Sequence, residues 1–413
     1  MKKWISILAV LTLILGLLAG CTPADPASPG GSGDGSSSSG SSNDTSSSGD
    51  TGSSGSDAQN NEPIRIGYVG DLTGNTAMWG QAGLNGMLMT MDDINAAGGV
   101  LGRQIVVIAE DGRGDPQDSV NAFLRLVDEH KVVAVLGTNF SSCNIPIAPI
   151  AGEKQVPVIA TAATNERVTV DENGNLHRYS FRLTFIDNFQ GRMMGEYALR
   201  EGWKTAAMLV DIGDSYSTGV AKHTEDTYIA GGGTIVAREE ANSGDNDFRA
   251  QLARIRQAEP DVLFIPWTWS NVALIAQQAR EIGFTGQFLG YDGWDSGELP
   301  ALARGTLEGG RFCSRPGFSL PEAAAFGERY QARFNIPLEA ECLFGHDGLR
   351  WIVQSIEKAG SADSTAIRDQ LATTTEFSGL LGKMTMDPAT HNPQRELAIF
   401  EIKGNDIVLI EMF

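Results

Sequence analysis

The chain has 413 residues, a formal net charge of −20 and a sequence pI of about 4.6. That length exceeds what one hydrophobic core usually serves, so two lobes or domains are expected. No basic stripe offsets the acidic balance, which argues against nucleic acid, and four cysteines are too few for a disulfide scaffold.

Lys2 and Lys3 precede an apolar run from Trp4 to Leu18, closed by Leu18-Ala19-Gly20-Cys21. The run is short for a membrane span and has the proportions of a secretory leader, here residues 1–20. Leu-Ala-Gly-Cys resembles the bacterial lipobox, which implies cleavage before Cys21 and lipid on its sulfur. Residues 21–62 are mostly Ser, Gly, Asp and Pro, a tether with almost nothing to bury. About 40 such residues span roughly 35 Å root-mean-square, enough to hold a folded body off a membrane.

Strands and helices then alternate. Ile64–Val69 reads as a strand, and Leu84, Met87, Leu88, Met91 and Ile94 as the buried stripe of a helix that Gly98 and Gly99 end. A strand at Ile105–Ala109 and a helix from Pro116 to His130 follow, the helix with Val120, Phe123, Leu124 and Val127 facing in. A β-branched run from Val132 ends at Gly137, and Ser141 and Ser142 open the next helix. Val156–Ala160 and Thr161-Ala-Ala-Thr164 repeat that arrangement. Ligands of open α/β sheets sit beyond the carboxyl ends of strands, so these two hydroxyl-bearing loops could converge on one small anion. Helix capping by the same hydroxyls is the plainer alternative.

A second series starts after Tyr179–Thr184 with a helix carrying Phe189, Met193 and Tyr197. Strands fall at Thr205–Val210, Thr234–Ala237, Val262–Ile265 and Gln287–Leu289, and helices around Phe248, Leu252 and Ile255 and at Val272–Ile282. Helices at Pro321–Phe334 and Leu343–Lys358 precede short terminal strands. Such βαβ repetition implies parallel sheets in two similar lobes.

Chemical motifs are missing. The folded part has no nucleophile-elbow, zinc-protease or phosphate-loop pattern, and His177, His223 and His346 are scattered. Asp171-Glu-Asn-Gly-Asn175 lacks the glycine and glutamate of a calcium loop and reads as a turn. Arg113-Gly-Asp115 reads as a polar loop. No cofactor, metal or catalytic residue is called for.

Ile64-Arg-Ile-Gly, Leu72-Thr-Gly, Ile94-Asn-Ala-Ala-Gly-Gly-Val-Leu-Gly-Arg103 and Glu110-Asp-Gly-Arg-Gly-Asp-Pro116 resemble the periplasmic leucine/isoleucine/valine-binding protein family. Gln277-Gln-Ala-Arg-Glu-Ile-Gly283, Gly345-His-Asp-Gly-Leu349 and Ile356-Glu-Lys-Ala-Gly360 continue the match in family order. The resemblance implies an α/β fold of two Rossmann-like lobes joined by a three-crossover hinge, the type I periplasmic binding protein. Lobe 1 would take residues 63–181 and 314–380, and lobe 2 residues 182–313 and 381–413, with hinges near Phe181–Thr184, Phe312–Ser314 and Leu381–Met384. It implies a monomer that closes on a small solute and delivers it to ABC permease subunits.

Carried over residue by residue, the resemblance gives Ser141, with Ser142 beside it, and Thr164 to the ligand carboxylate, and the Ala162 carbonyl to its ammonium. Asp292 would face the ammonium from the second lobe, as Asp where the branched-chain protein has Glu. Trp79 replaces a tyrosine of the first loop, Tyr216 matches a cleft aromatic, and another family tyrosine falls near Thr268 and Trp269. The family layout also puts Cys313 and Cys342 on neighbouring parts of the first lobe. They would form the single disulfide if one exists; three buried free thiols is the other expectation.

An amino acid delivered to an importer is the leading reading. An amide, urea or choline-like cation is a second, because aromatic residues can hold quaternary ammonium. A ligand sensor of the same fold is a third. An enzyme lacks a nucleophile–base arrangement.

Overall fold

The computed structural model describes residues 62–336 and 338–413. The expected leader, Cys21 and the expected tether through residue 61 lie outside the described residues. Chain order begins with β1 (Ile64–Gly70), α1 (Ala77–Ala96), β2 (Ile105–Asp111), α2 (Pro116–Asp128), β3 (Val135–Leu136), α3 (Ser141–Lys154), β4 (Val158–Ala160) and β5 (Ser180–Arg182). It continues with α4 (Asp187–Arg200), β6 (Thr205–Asp211), α5 (Ser215–Ala230), β7 (Thr234–Ala241), α6 (Arg249–Gln257), β8 (Val262–Phe264), α7 (Trp269–Glu281), β9 (Gln287–Gly290), α8 (Leu299–Ala303) and β10 (Arg311–Ser314). Then come α9 (Pro321–Phe334), α10 (Glu341–Ala359), α11 (Ser364–Ala372), β11 (Phe377–Gly379), β12 (Gly382–Met386), β13 (Pro393–Gln394), β14 (Ala398–Lys403) and β15 (Asp406–Met412).

Two sheets organise these elements. The first is all parallel, in the order β2-β1-β3-β4-β5. The second runs β15-β14-β10-β9-β8-β6-β7, parallel from β10 to β7, with β14 and β15 added antiparallel at the end. Each has an apolar core on both faces, as βαβ crossovers require. These are the two Rossmann-like lobes of a type I periplasmic binding protein fold.

Local chemistry fixes the helices. Asp115 caps α2 by accepting from the Gln117 and Asp118 amides, and Pro116 sits where no amide hydrogen is needed. Helix α1 differs from the expected stripe. Leu84, Leu88 and Met91 are only half-buried, while Gly83, Gly86, Met87 and Thr90 are covered by α10. A Cβ at Gly86 would collide with the Cys342 carbonyl, and one at Gly345 with the Gly83 carbonyl. The two helices thus meet backbone to backbone. In α4 the covered methionine is Met194, one residue past the expected Met193.

The chain crosses between lobes three times. The first crossing follows β5: Leu183 belongs to the first lobe's core and Phe185 to the second's. Phe312–Ser314, expected as a hinge, is β10 itself, and the crossing begins at Arg315. The third lies later than the expected Leu381–Met384. Leu381, Met384 and Met386 pack into the first lobe's core, β11–β13 form a small sheet beside it, and the second lobe's core resumes at Leu397. The boundary expected at residue 381 therefore moves to about residues 395–397, because these apolar side chains have their partners in lobe 1.

Cys143, Cys313 and Cys342 are all buried and free. The Cys313–Cys342 pairing that the family layout suggested fails because β10 belongs to the second sheet, whereas Cys342 sits against α1 in the first lobe. Asp171 takes the Asn173 and Asn175 amides as a turn residue does.

Candidate functional site

The carboxyl ends of both parallel sheets open onto one cleft. A small cavity of about 30 Å³ lies there, because side chains from both lobes nearly fill the shut cleft. From the first lobe, Trp79, Asn139, Phe140, Ser141, Ala162 and Thr164 line it, with Glu341 from the start of α10. From the second come Tyr216, Thr268, Asp292 and Gly293, and Arg315 enters from the second crossing. The structure thus brings together Trp79, Ser141, Ala162, Thr164, Tyr216 and Asp292 of the expected set. Ser142 turns away into a wider groove on the other side of Phe140. Trp269 stands behind the wall, its ring 6.3 Å from that of Trp79, and Thr268 takes its place at the cavity.

Position follows from backbone pairing. β3 and β4 are adjacent parallel strands, so their following loops run side by side. Ser141 begins α3 but does not cap it. Its Oγ accepts the Asn165 amide at 3.2 Å, which joins the two loops and leaves its own hydrogen uncommitted to any described acceptor. Asn139 accepts from Thr161 at 2.7 Å, while its Nδ2 has no partner. Thr164 Oγ1 lies beside the Asp187 carboxyl but makes no bond of normal geometry.

Asp292 follows β9 in a short helical turn and is buried. Its Oδ2 accepts from Arg315 at 2.9 Å, and Oδ1 has no bonded partner although Gln190 and Tyr216 stand beside it. Burial raises the Asp292 carboxyl above the ordinary range, while Arg315, Gln190 and Tyr216 pull it back. The Tyr216 hydroxyl accepts the Gly293 amide at 3.0 Å, which holds this loop against α5. Arg315 also donates to Thr184 at 3.2 Å and lies 3.7 Å from Asp295. Its guanidinium stacks over Phe344 at 4.6 Å.

Sequence reasoning missed Arg315 and Glu341. Arg315 precedes a proline in a crossing, and Glu341 opens a helix, where an acidic residue is ordinary. The adjacent Glu339 was missed too; burial pushes its carboxyl up to about 8, opposed by a hydrogen bond from Ser296. That bond, 3.2 Å long, joins the lobes. Asn165 Nδ2 donates to the Ser215 carbonyl at 2.8 Å, and Glu166 accepts from the Asn188 amide at 2.8 Å and faces His223 at 3.1 Å. Trp79 belongs to the second lobe's apolar cluster although it extends from α1. The cleft is shut.

Comparison with known proteins agrees with this architecture. The chain is 27% identical over 350 residues to the Leu/Ile/Val-binding protein BraC3 of Rhizobium johnstonii, covering 84% of this chain and 94% of that one. A leucine binding protein, LivK, from Thermotoga maritima superposes with a TM-score of 0.78 at 29% identity, covering 85% of this chain and 98% of that one. The branched-chain amino acid transporter substrate binding protein LivJ from Streptococcus pneumoniae, in complex with isoleucine, gives 0.77 at 28%, covering 84% and 99%. The family model for periplasmic binding proteins matches residues 63–406, the whole two-lobed body up to β15, and the chain belongs to that family.

Proposed function

We propose that this protein is the extracytoplasmic solute-binding component of an ABC importer, held to the membrane by lipid on Cys21, and that it binds an amino acid between its lobes. One observation carries the reading: unsatisfied polar groups of opposite kind face the cavity from opposite lobes. The Ser141 hydroxyl and Asn139 Nδ2 offer donors from the first lobe, and Asp292 Oδ1 offers a charged acceptor from the second. A zwitterion satisfies both sets at once, its carboxylate on the first and its ammonium on the second. The Ala162 carbonyl and Thr164 hydroxyl complete the two ends. The relatives named for branched-chain amino acids, and the isoleucine held by LivJ, support the same class of ligand.

Calorimetric titration of the full chain against the standard amino acids, urea, acetamide and choline tests the reading. At least one α-amino acid binds, and its des-amino analogue does not. Binding of an amide, urea or choline alone overturns it. The anchor is tested by labelling cells with a fatty-acid probe: Cys21→Ser loses the label, and a labelled variant overturns lipidation.

A further inference from the structure

The ends of a zwitterion leave an acid of the cavity unanswered, besides the unpartnered Trp79 Nε1 and Arg315 Nε donors. Glu341 is 2% exposed, lines the cavity from the first turn of α10, and its Oε2 has no hydrogen-bond partner. Arg315 lies near enough to act on it electrostatically, but the arginine's hydrogen bonds go to Asp292 and Thr184. The other charged neighbours, Glu339 and Asp295, are acids. Burial and Glu339 raise the Glu341 carboxyl, and no cation is hydrogen-bonded to its Oε2.

A buried carboxyl in that state is costly unless something bonds to it. An aliphatic ligand side chain would displace water from the cavity and leave Oε2 unpaired. A side chain that passes Trp79 and Phe140 with its methylenes and ends in nitrogen would pair it. We propose that Glu341 is a specificity-determining residue that accepts a nitrogen donor at the end of the ligand's side chain, so that the ligand is an amide-bearing or cationic amino acid rather than a branched aliphatic one. The two acids then divide the work: Asp292 on one lobe takes the α-ammonium, and Glu341 on the other takes the side-chain nitrogen. This inference rests on the amino-acid reading above.

The test titrates the full chain with Gln, Asn, Lys and Arg, and with Leu, Ile and Val. At least one of the first group binds tighter than the best of the second by roughly a hundredfold or more, as in sites whose buried polar groups an analogue leaves unpaired. Glu341→Leu reverses the order. Glu341→Gln keeps an acceptor and removes the charge, so it separates the two nitrogen sources: an amide ligand stays within about tenfold, whereas a cation loses about a hundredfold or more. Tighter binding of Leu, Ile or Val by the parent, or an unchanged preference in Glu341→Leu, overturns the inference while the amino-acid reading stands. Binding of no amino acid at all overturns both. If Glu341→Leu does not fold, the parent's preference and Glu341→Gln decide.

Discussion

Asp292 and Arg315 form an ion pair with side chains 4% and 2% exposed. Arg315 occupies one carboxylate oxygen and leaves the other unbonded, where the proposed reading seats a ligand ammonium. Asp292→Asn therefore removes the ammonium's counter-charge and leaves Arg315 with Thr184 at 3.2 Å and Asp295, at 3.7 Å, as its remaining paired acid. Breaking one side of a buried pair costs about 3–5 kcal/mol, or roughly two to four decades of affinity. Ser141→Ala costs less, about 1–3 kcal/mol, because neighbouring donors remain. Calorimetry on both variants checks the order; Asp292→Asn within about threefold of the parent would reduce Asp292 to a turn residue. His391 makes a second claim at this scale. It is buried, stacks on Phe181 with centroids 4.1 Å apart, and has Nδ1 3.0 Å from the Ser180 carbonyl. Burial pushes it down to about 4, against the Ser180 bond. A base depressed in the fold contributes stability that is present above its unfolded value, near 6.5, and is lost as pH falls through about 4. That window is worth up to about 3 kcal/mol at ~1.4 kcal/mol per unit. His391→Asn keeps a donor and suits the left-handed backbone there, φ 54°. Melting curves from pH 7 to 4 should fall more steeply for the parent than for the variant; parallel curves would show that His391 does not titrate as a buried base.

Helices α1 and α10 show how an element can be legible in outline and misread in face. The 3-4-7 spacing of Leu84, Met87, Leu88, Met91 and Ile94 located α1, but large apolar residues drew attention from Gly83 and Gly86, which make the close contact. Alanine at Gly86 or Gly345 must push two backbones apart, which overpacking makes costly by about 1–3 kcal/mol. Gly152 in α3 has nothing within 4 Å of an added Cβ. Gly152→Ala should instead stabilise by about 0.5–1 kcal/mol through helix propensity. Chemical denaturation of the three variants tests the contrast, and a neutral Gly86→Ala would mean that the helices slide apart freely. The parallel strands were legible because β-branched runs alternate with helical periods, and so were the loops after β3 and β4, because short polar residues follow those runs. Arg315 and Glu341 were not. In a sequence, a charge reads as solvated, and only the meeting of a crossing with a helix start from another part of the chain buries these two. The third crossing was misplaced for a related reason: Leu381, Met384 and Met386 carry no mark of which lobe's core they enter.

The shut cleft rests on few contacts. Asn165 with Ser215 and Glu166 with Asn188 and His223 are part-buried or exposed contacts, and Ser296 with Glu339 is a buried hydrogen bond, each worth about 1 kcal/mol net. Trp79, seated in the second lobe's apolar cluster with Phe140 packed against it, supplies the large apolar contact. Against them, closing buries carboxyls, Asp292, Glu339 and Glu341 among them, that prefer water when nothing pairs them. If the lobes hinge apart, as the proposed function requires, the balance between the two forms would be set by groups that a ligand completes. A ligand touching both lobes shifts the population by its differential affinity for the closed form. Three short crossings, at residues 183–186, 315–320 and 395–397, join the lobes and are where closure would pivot. Small-angle scattering should give a smaller radius of gyration with saturating ligand than without it. Trp79→Ala should keep the unliganded form open and weaken binding, since closure then lacks its apolar contact. An unchanged radius at saturation, in the parent and in Trp79→Ala alike, would make the cleft rigid and would locate ligand discrimination in the cavity walls alone.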